Sequence, residues 1–177
     1  VKPCHYCGCT NKRRGFNGID RVNNNEGYVK DNCVSCCSMC NYMKGKLNRD
    51  TFLKKIEHIM VHIEKIGGNT HDELFNNYCH TPYDQYVKRA YHKKLQFEIS
   101  SEEFNEIVKN PCYICGKKST HNHSNGIDRY DNNLGYTSTN TRPCCADCNY
   151  ITMYFCPEIF FNKISSIYNT CILYSEK

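Results

Sequence analysis

Fifteen cysteines fall in a chain of 177 residues, and eight of them form two matched quartets. Cys4-x2-Cys7 is followed, 29 residues on, by Cys37-x2-Cys40; Cys112-x2-Cys115 is followed by Cys145-x2-Cys148 across the same gap. Two tight knuckles, each presenting two thiolates, close a tetrahedral shell around Zn²⁺ and leave no position open for water. The spacing therefore predicts two structural zinc ions that hold the fold and perform no chemistry. Cys33-x2-Cys36 offers a competing pair in the first quartet, but Thr141 stands where Cys33 would recur, so only the Cys37/Cys40 register is shared. Cys36 and Cys144 are left as buried neighbours of the ligands.

The quartets belong to a longer repeat. Over positions 3–42, 19 of 40 residues recur without a gap at a displacement of 108, which marks a duplicated module. The shift carries Asn17-Gly18-Ile19-Asp20-Arg21 onto Asn125-Gly126-Ile127-Asp128-Arg129, Gly27-Tyr28 onto Gly135-Tyr136, Asn32 onto Asn140, and Cys40-Asn41-Tyr42 onto Cys148-Asn149-Tyr150. The aliphatic core is thin, with a mean hydropathy of −0.69, and small modules of this kind lean on metals or cross-links. An odd cysteine count and no signal peptide argue for metal sites in a reducing compartment, cytoplasm or nucleus, rather than a disulfide framework. Apolar runs are too short for a membrane span. A net charge of +5 permits an anionic partner without demanding one.

Several elements must position these residues. Gly18 to Val22 and Tyr28 to Lys30 read as strands around a turn at Asn23 to Gly27; residues 127–130 and Tyr136-Thr137 repeat them. A helix should begin near the last Cys pair of each copy. A second helix follows, with Asp50 as its cap and Phe52, Leu53, Ile56, Ile59, Met60 and Ile63 as its stripe. Its counterpart behind Pro157 carries Phe160, Phe161, Ile164, Ile167, Tyr168 and Cys171. Gly67-Gly68 breaks the chain, Pro82 opens a helix with Tyr83, Tyr86, Val87, Ala90 and Tyr91 on one face, and Ser100 or Ser101 opens another. The expected architecture is small α+β: a zinc-stapled ββα module over 1–68, a helical connector over 69–110 and a second module over 111–177. Ile107-Val108-Lys109-Asn110 runs straight into the second knuckle, whereas only Val1-Lys2 precedes the first. An additional N-terminal repeat or domain is therefore expected.

The combined motif, Cys-x2-Cys-Gly, Asn-Gly-Ile-Asp-Arg, Gly-Tyr, Asn and Cys-Cys-x2-Cys-Asn, resembles the HNH (ββα-metal, His-Me finger) endonuclease superfamily. It is most similar to the zinc-stapled branch with phage HNH, endonuclease VII-like and PacI-like members, and virus-encoded origin fits that branch. The resemblance covers both modules and the connector. It implies tandem HNH-like sites in which Asp20 with Asn41, and Asp128 with Asn149, hold Mg²⁺ or Mn²⁺ beside a DNA phosphodiester. It also implies that Asn32 and Asn140 are orienting residues. Where most members have Asp-His, both copies have Asp-Arg. Arg21 and Arg129 cannot act as general bases, but they can grip phosphate. His5, Tyr28, His121, His123 and Tyr136 are the substitute bases, and the sequence does not choose among them. Lys44 completes a Cys-Asn-x-x-Lys ending in the first copy that the second lacks, which favours the first if one site works.

Three functions compete: a metal-dependent endonuclease on double-stranded DNA, a nuclease-derived DNA-binding protein serving transcription or packaging, and a structural zinc scaffold. Retention of both Asp and Asn in both copies favours the first. Basic residues at Lys12-Arg13-Arg14, Lys44, Lys46, Lys54-Lys55, Lys88-Arg89, Lys93-Lys94 and Lys117-Lys118 would meet phosphate.

Overall fold

The computed structural model describes residues 2–10 and 15–173; Lys12, Arg13 and Arg14 lie outside them. The chain is a small α+β protein with two two-stranded sheets. β1 (Gly18–Arg21) pairs antiparallel with β2 (Cys33–Cys36), and β3 (Gly126–Arg129) pairs with β4 (Thr141–Cys144). Gly18 faces Cys36 and Gly126 faces Cys144, so the repeat is kept to the residue. Helix α1 (Ser38–Lys44) starts one residue after Cys37, α2 (Arg49–Glu64) follows, and then come α3 (Tyr83–His92) and α4 (Ser101–Lys109). Helix α5 (Ala146–Thr152) repeats α1. Helix α6 (Pro157–Tyr168) follows and runs into a π-helical turn, Asn169–Leu173.

The second strand of each hairpin lies further along than the periodicity suggested. Tyr28 to Lys30 is not a strand; the chain between Val22 and Asn32 is a broad loop, and β2 begins only at Cys33. Side chains hold that loop open. Asn32, buried, accepts from the Asn23 backbone N–H at 2.8 Å and donates to the carbonyls of Asn23 and Gly27. Arg21 donates to the carbonyls of Asn24 and Glu26 and stacks over the Tyr28 ring at 5.0 Å. The second copy repeats the arrangement through Asn140, Arg129 and Tyr136. The expected turn at Asn23 to Glu26 is present, closed by the Glu26 N–H on the Asn23 carbonyl at 3.3 Å, but it lies within this wider loop. The cap of α2 also differs. Asn48, not Asp50, accepts from the Thr51 N–H at 2.9 Å. Ser100 and Glu103 form the expected capping box on α4.

Two compact units result: Val1–Leu74 with Phe160–Lys177, and Phe75–Ile159. The boundaries differ from those drawn on the sequence at two places. Residues 75–110 are not a free connector, because α4 packs on both β3 and β4. Ile99, Phe104, Val108 and Ile127 form the core there, with Tyr83, Tyr86, Phe97 and Tyr136 against it. The segment from Phe160 onward belongs with the first copy rather than with 111–159. Its Cys171 thiol donates to the carbonyls of His5 and Tyr6, both at 3.3 Å, and its π-helical turn packs on α2. In the first unit Phe52 of α2 meets the Tyr6 ring edge-on at 5.5 Å.

Each buried loop asparagine satisfies one N–H and two carbonyls of its loop. Asn140→Ala is expected to cost about 3 kcal/mol, since orphaned buried polar groups cost roughly 1–3 kcal/mol each. Urea unfolding followed by circular dichroism measures it, and Asn32→Ala should match it.

Candidate functional site

The sulfurs of Cys4, Cys7, Cys37 and Cys40 converge within 4.8 Å of one another, as do those of Cys112, Cys115, Cys145 and Cys148. Each cluster can hold a metal ion. The geometry follows from the elements: one knuckle precedes the first strand, and the other lies where the second strand turns into the helix. The backbone N–H of Gly8 bonds the Cys4 carbonyl, and that of Gly116 bonds the Cys112 carbonyl. Gly8 and Gly116 take positive φ, 67° and 75°, which glycine adopts without strain. Cys33 pairs with Arg21 in the sheet and joins neither cluster. Cys36 and Cys144 are buried beside the clusters, their thiols donating to the next carbonyl.

Four thiolates concentrate negative charge, and the first cluster has a cation against it. Lys163 Nζ lies 3.3 Å from Cys7 Sγ and 4.0 Å from Cys37 Sγ. Burial works against the ammonium form, yet the neighbouring thiolates of Cys37 and Cys7 raise the Lys163 pKa overall. Cys9 adds a fifth thiol 3.4 Å from Cys7 Sγ; Lys117 occupies its place in the second copy.

The two Asp-Arg copies are wired differently. Asp20 is buried and fully engaged, with the Tyr6 hydroxyl donating at 2.7 Å and the Lys44 ammonium at 3.2 Å. Lys44 is wholly buried and also donates to the Arg21 carbonyl at 2.9 Å. Asn41 is exposed and lines a shallow recess with Phe16, Asn17 and Cys37, of which Asp20 is not a lining residue. In the second copy Thr152 replaces Lys44 and turns its hydroxyl back onto the Cys148 and Asn149 carbonyls. Asp128 therefore lacks a counterpart of the Lys44 ammonium. The Tyr113 hydroxyl donates to it at 3.0 Å, and burial raises its pKa. Asp128 and Asn149 line one cleft of about 560 Å³, together with Arg129, Arg89, Lys93 and His80.

Sequence reasoning missed two kinds of residue here. Tyr6 and Tyr113 reach equivalent carboxylates from adjacent, non-equivalent knuckle positions, so aligning the copies hides them. His80 lies outside the repeat; its Nδ1 is 2.7 Å from Ser124 Oγ, and burial lowers its pKa. The nominated bases fall elsewhere. His5 Nε2 accepts from Arg49 Nε at 3.1 Å. His123 is buried, its Nδ1 accepting from the Tyr78 N–H and its Nε2 against Asn125. His121 and Tyr28 are exposed, and Tyr136 lines the cleft beneath Arg129. Both arginines spend donors on loop carbonyls, a structural use that the sequence did not reveal.

No protein-family model matches the chain, and no solved structure matches it. It is 47% identical over 148 residues to the uncharacterized protein R423 of Acanthamoeba polyphaga mimivirus, over 84% of this chain and 28% of that protein. The chain thus spans little more than a quarter of the curated relative it matches. Among the described residues, no helix is long and apolar enough to cross a membrane.

Removing Lys44 strands a buried carboxylate. Lys44→Met should destabilise by about 3–5 kcal/mol, and Asp20→Asn with Lys44→Met should recover most of it, because deleting both charges removes the unpaired one. A double-mutant cycle in urea measures the coupling. Asp128 behaves oppositely. Its raised pKa means the folded chain binds that proton more tightly than the unfolded chain. The stabilising contribution is complete below the ordinary carboxylate range and is lost as pH rises through the raised value. Asp128→Asn should therefore raise the thermal midpoint at pH 8, with a smaller gain at pH 5, as differential scanning fluorimetry would record.

Proposed function

We propose that this chain is an HNH-type, metal-dependent DNA endonuclease whose hydrolytic centre is the second copy. The observation that carries the reading is the shared cleft of Asp128 and Asn149, flanked by Arg129, Arg89 and Lys93. One carboxylate and one amide oxygen suit a hard divalent cation, Mg²⁺ or Mn²⁺, that keeps waters and takes a phosphate oxygen. Such an ion would supply charge stabilisation at the scissile phosphate and the leaving 3′ oxygen. The chain's own groups do the rest. Tyr113 fixes the carboxylate by its hydroxyl. Arg89 and Lys93 attract the DNA backbone. His80, with its pKa lowered, is neutral near pH 7 and can accept a proton from water. The tetrathiolate clusters suit Zn²⁺, which four sulfurs close off from solvent. Each zinc would fix the helix start that carries Asn41 or Asn149. Thiolate ligation fits a reducing compartment, and the mimivirus relative fits a virus-encoded protein.

A second reading has one observation in its favour. Asp20 is held by Lys44 and separated from the recess that Asn41 lines, so the first copy would contact DNA without cutting it. The two copies then divide binding and hydrolysis between them.

The test is nicking of supercoiled plasmid in Mg²⁺ or Mn²⁺. Asp128→Ala should reduce the rate at least ~10²-fold and His80→Ala by about 10²-fold, the usual reach of general-base catalysis, while Asp20→Asn with Lys44→Met keeps it. Binding without nicking in any divalent metal would leave only the DNA-binding reading. Elemental analysis should return two zinc ions per chain, lost on chelation together with the folded circular dichroism spectrum.

A further inference from the structure

The first strands of the duplicated sheets are identical, Gly-Ile-Asp-Arg, but the second sheet has a cover that the first lacks. Ile127 is 1% exposed beneath Phe104 and Val108, whereas Ile19, at the identical register, is 58% exposed. Tyr136 packs on Phe97 at 5.2 Å and on Tyr86 at 6.0 Å, whereas its counterpart Tyr28 is 66% exposed. The backbone follows suit. Tyr136 N–H donates to the Gln96 carbonyl, and its own carbonyl accepts from the Glu98 N–H, each at 2.8 Å. Among the described residues Tyr28 makes no backbone hydrogen bond.

The glycines give the same contrast. A Cβ on Gly135 would meet the Gln96 carbonyl oxygen, and one on Gly126 would lie 2.5 Å from the Tyr86 hydroxyl. These close approaches require glycine. Gly27 and Gly18 occupy the matching positions in the first copy. A Cβ on Gly27 would meet nothing within 4 Å, and one on Gly18 only the Cys36 carbonyl at 3.5 Å. Neither has positive φ, so their own backbones do not require them to be glycine. Phe16 and Val29 extend the exposed apolar surface, at 62% and 55%.

We propose that the outer face of β1–β2, from Gly18 to Tyr28, is a docking surface for a helix–strand–helix cover of the same kind as residues 82–110. In the second copy that cover leads directly into Pro111 and the knuckle. The occupant we assign is accordingly a segment of the same polypeptide entering at Pro3. It would carry a tyrosine hydroxyl over Gly18, an extended strand bridging Tyr28 and an apolar helix over Ile19. The greater length of the mimivirus relative leaves ample chain for such a segment. The assignment is independent of any nuclease activity.

The experiment grafts a second copy of residues 75–110 in place of Val1-Lys2, ahead of Pro3, in the full chain. Amide exchange at Gly18–Arg21 and at Tyr28 should slow at least ~10-fold, and the first unit's thermal midpoint should rise by about 5 °C or more, as for other added packing. Ile19→Asp should cancel both gains in the grafted chain and be neutral in the ungrafted one. Gly27→Ala should likewise be neutral without the graft and disruptive with it. Unchanged exchange in the grafted chain, or destabilisation by Ile19→Asp without it, overturns the proposal. So does concentration-dependent protection of Ile19 in the ungrafted chain, which would assign the face to a second copy.

Discussion

Convergence of four sulfurs in each copy is the constraint on which the rest depends. With sheets of two strands and short helices, neither hairpin buries enough apolar surface to order itself; a two-stranded ribbon is marginal in water. Joining the knuckle before the first strand to the start of the helix after the second fixes both ends of the hairpin in one step. It also settles what the pinned helix can present: Asn41 and Asn149 each follow a cluster cysteine directly, so a metal held by the sulfurs would place the amide as well.

From that common frame the copies diverge through one residue pair. Lys44 is long enough to run back under the helix and neutralise Asp20 in the interior. Thr152 cannot, and spends its hydroxyl on its own helix. A buried ion pair contributes little net stability against a hydrophobic alternative, but it commits the carboxylate. The first copy thus has a closed, self-satisfied interior, while the second keeps an acid that faces a cationic cleft. The lysine that ends the Cys-Asn-x-x-Lys run of the first copy, and favoured it on sequence, is the residue that occupies its aspartate.

Much of this was legible in advance. Cysteine spacing with an internal duplicate found both clusters and discarded Cys33, because each Cys-x2-Cys knuckle is a local signal and the repeat shows which knuckles go together. The helix start at Ser100 followed from capping chemistry, and that at Pro82 from proline's preference for the beginning of a helix. The second strands were misplaced because Arg21 and Asn32 stabilise an open loop through side-chain bonds to its backbone that alternation of apolar residues does not reveal. The tyrosines on the two aspartates escaped because adjacent positions on a knuckle can reach one point in space. His80 escaped because nothing local distinguishes an imidazole that lines a cleft.

The return of residues 160–173 to the first copy bears on the order of synthesis. The unit 75–159 is continuous and can close as it leaves the ribosome. The first copy cannot bury Cys171 against its knuckle until residues 160–173 have been made, which is after the whole of 75–159. During that interval the first knuckle lacks the cover that the π-helical turn gives it.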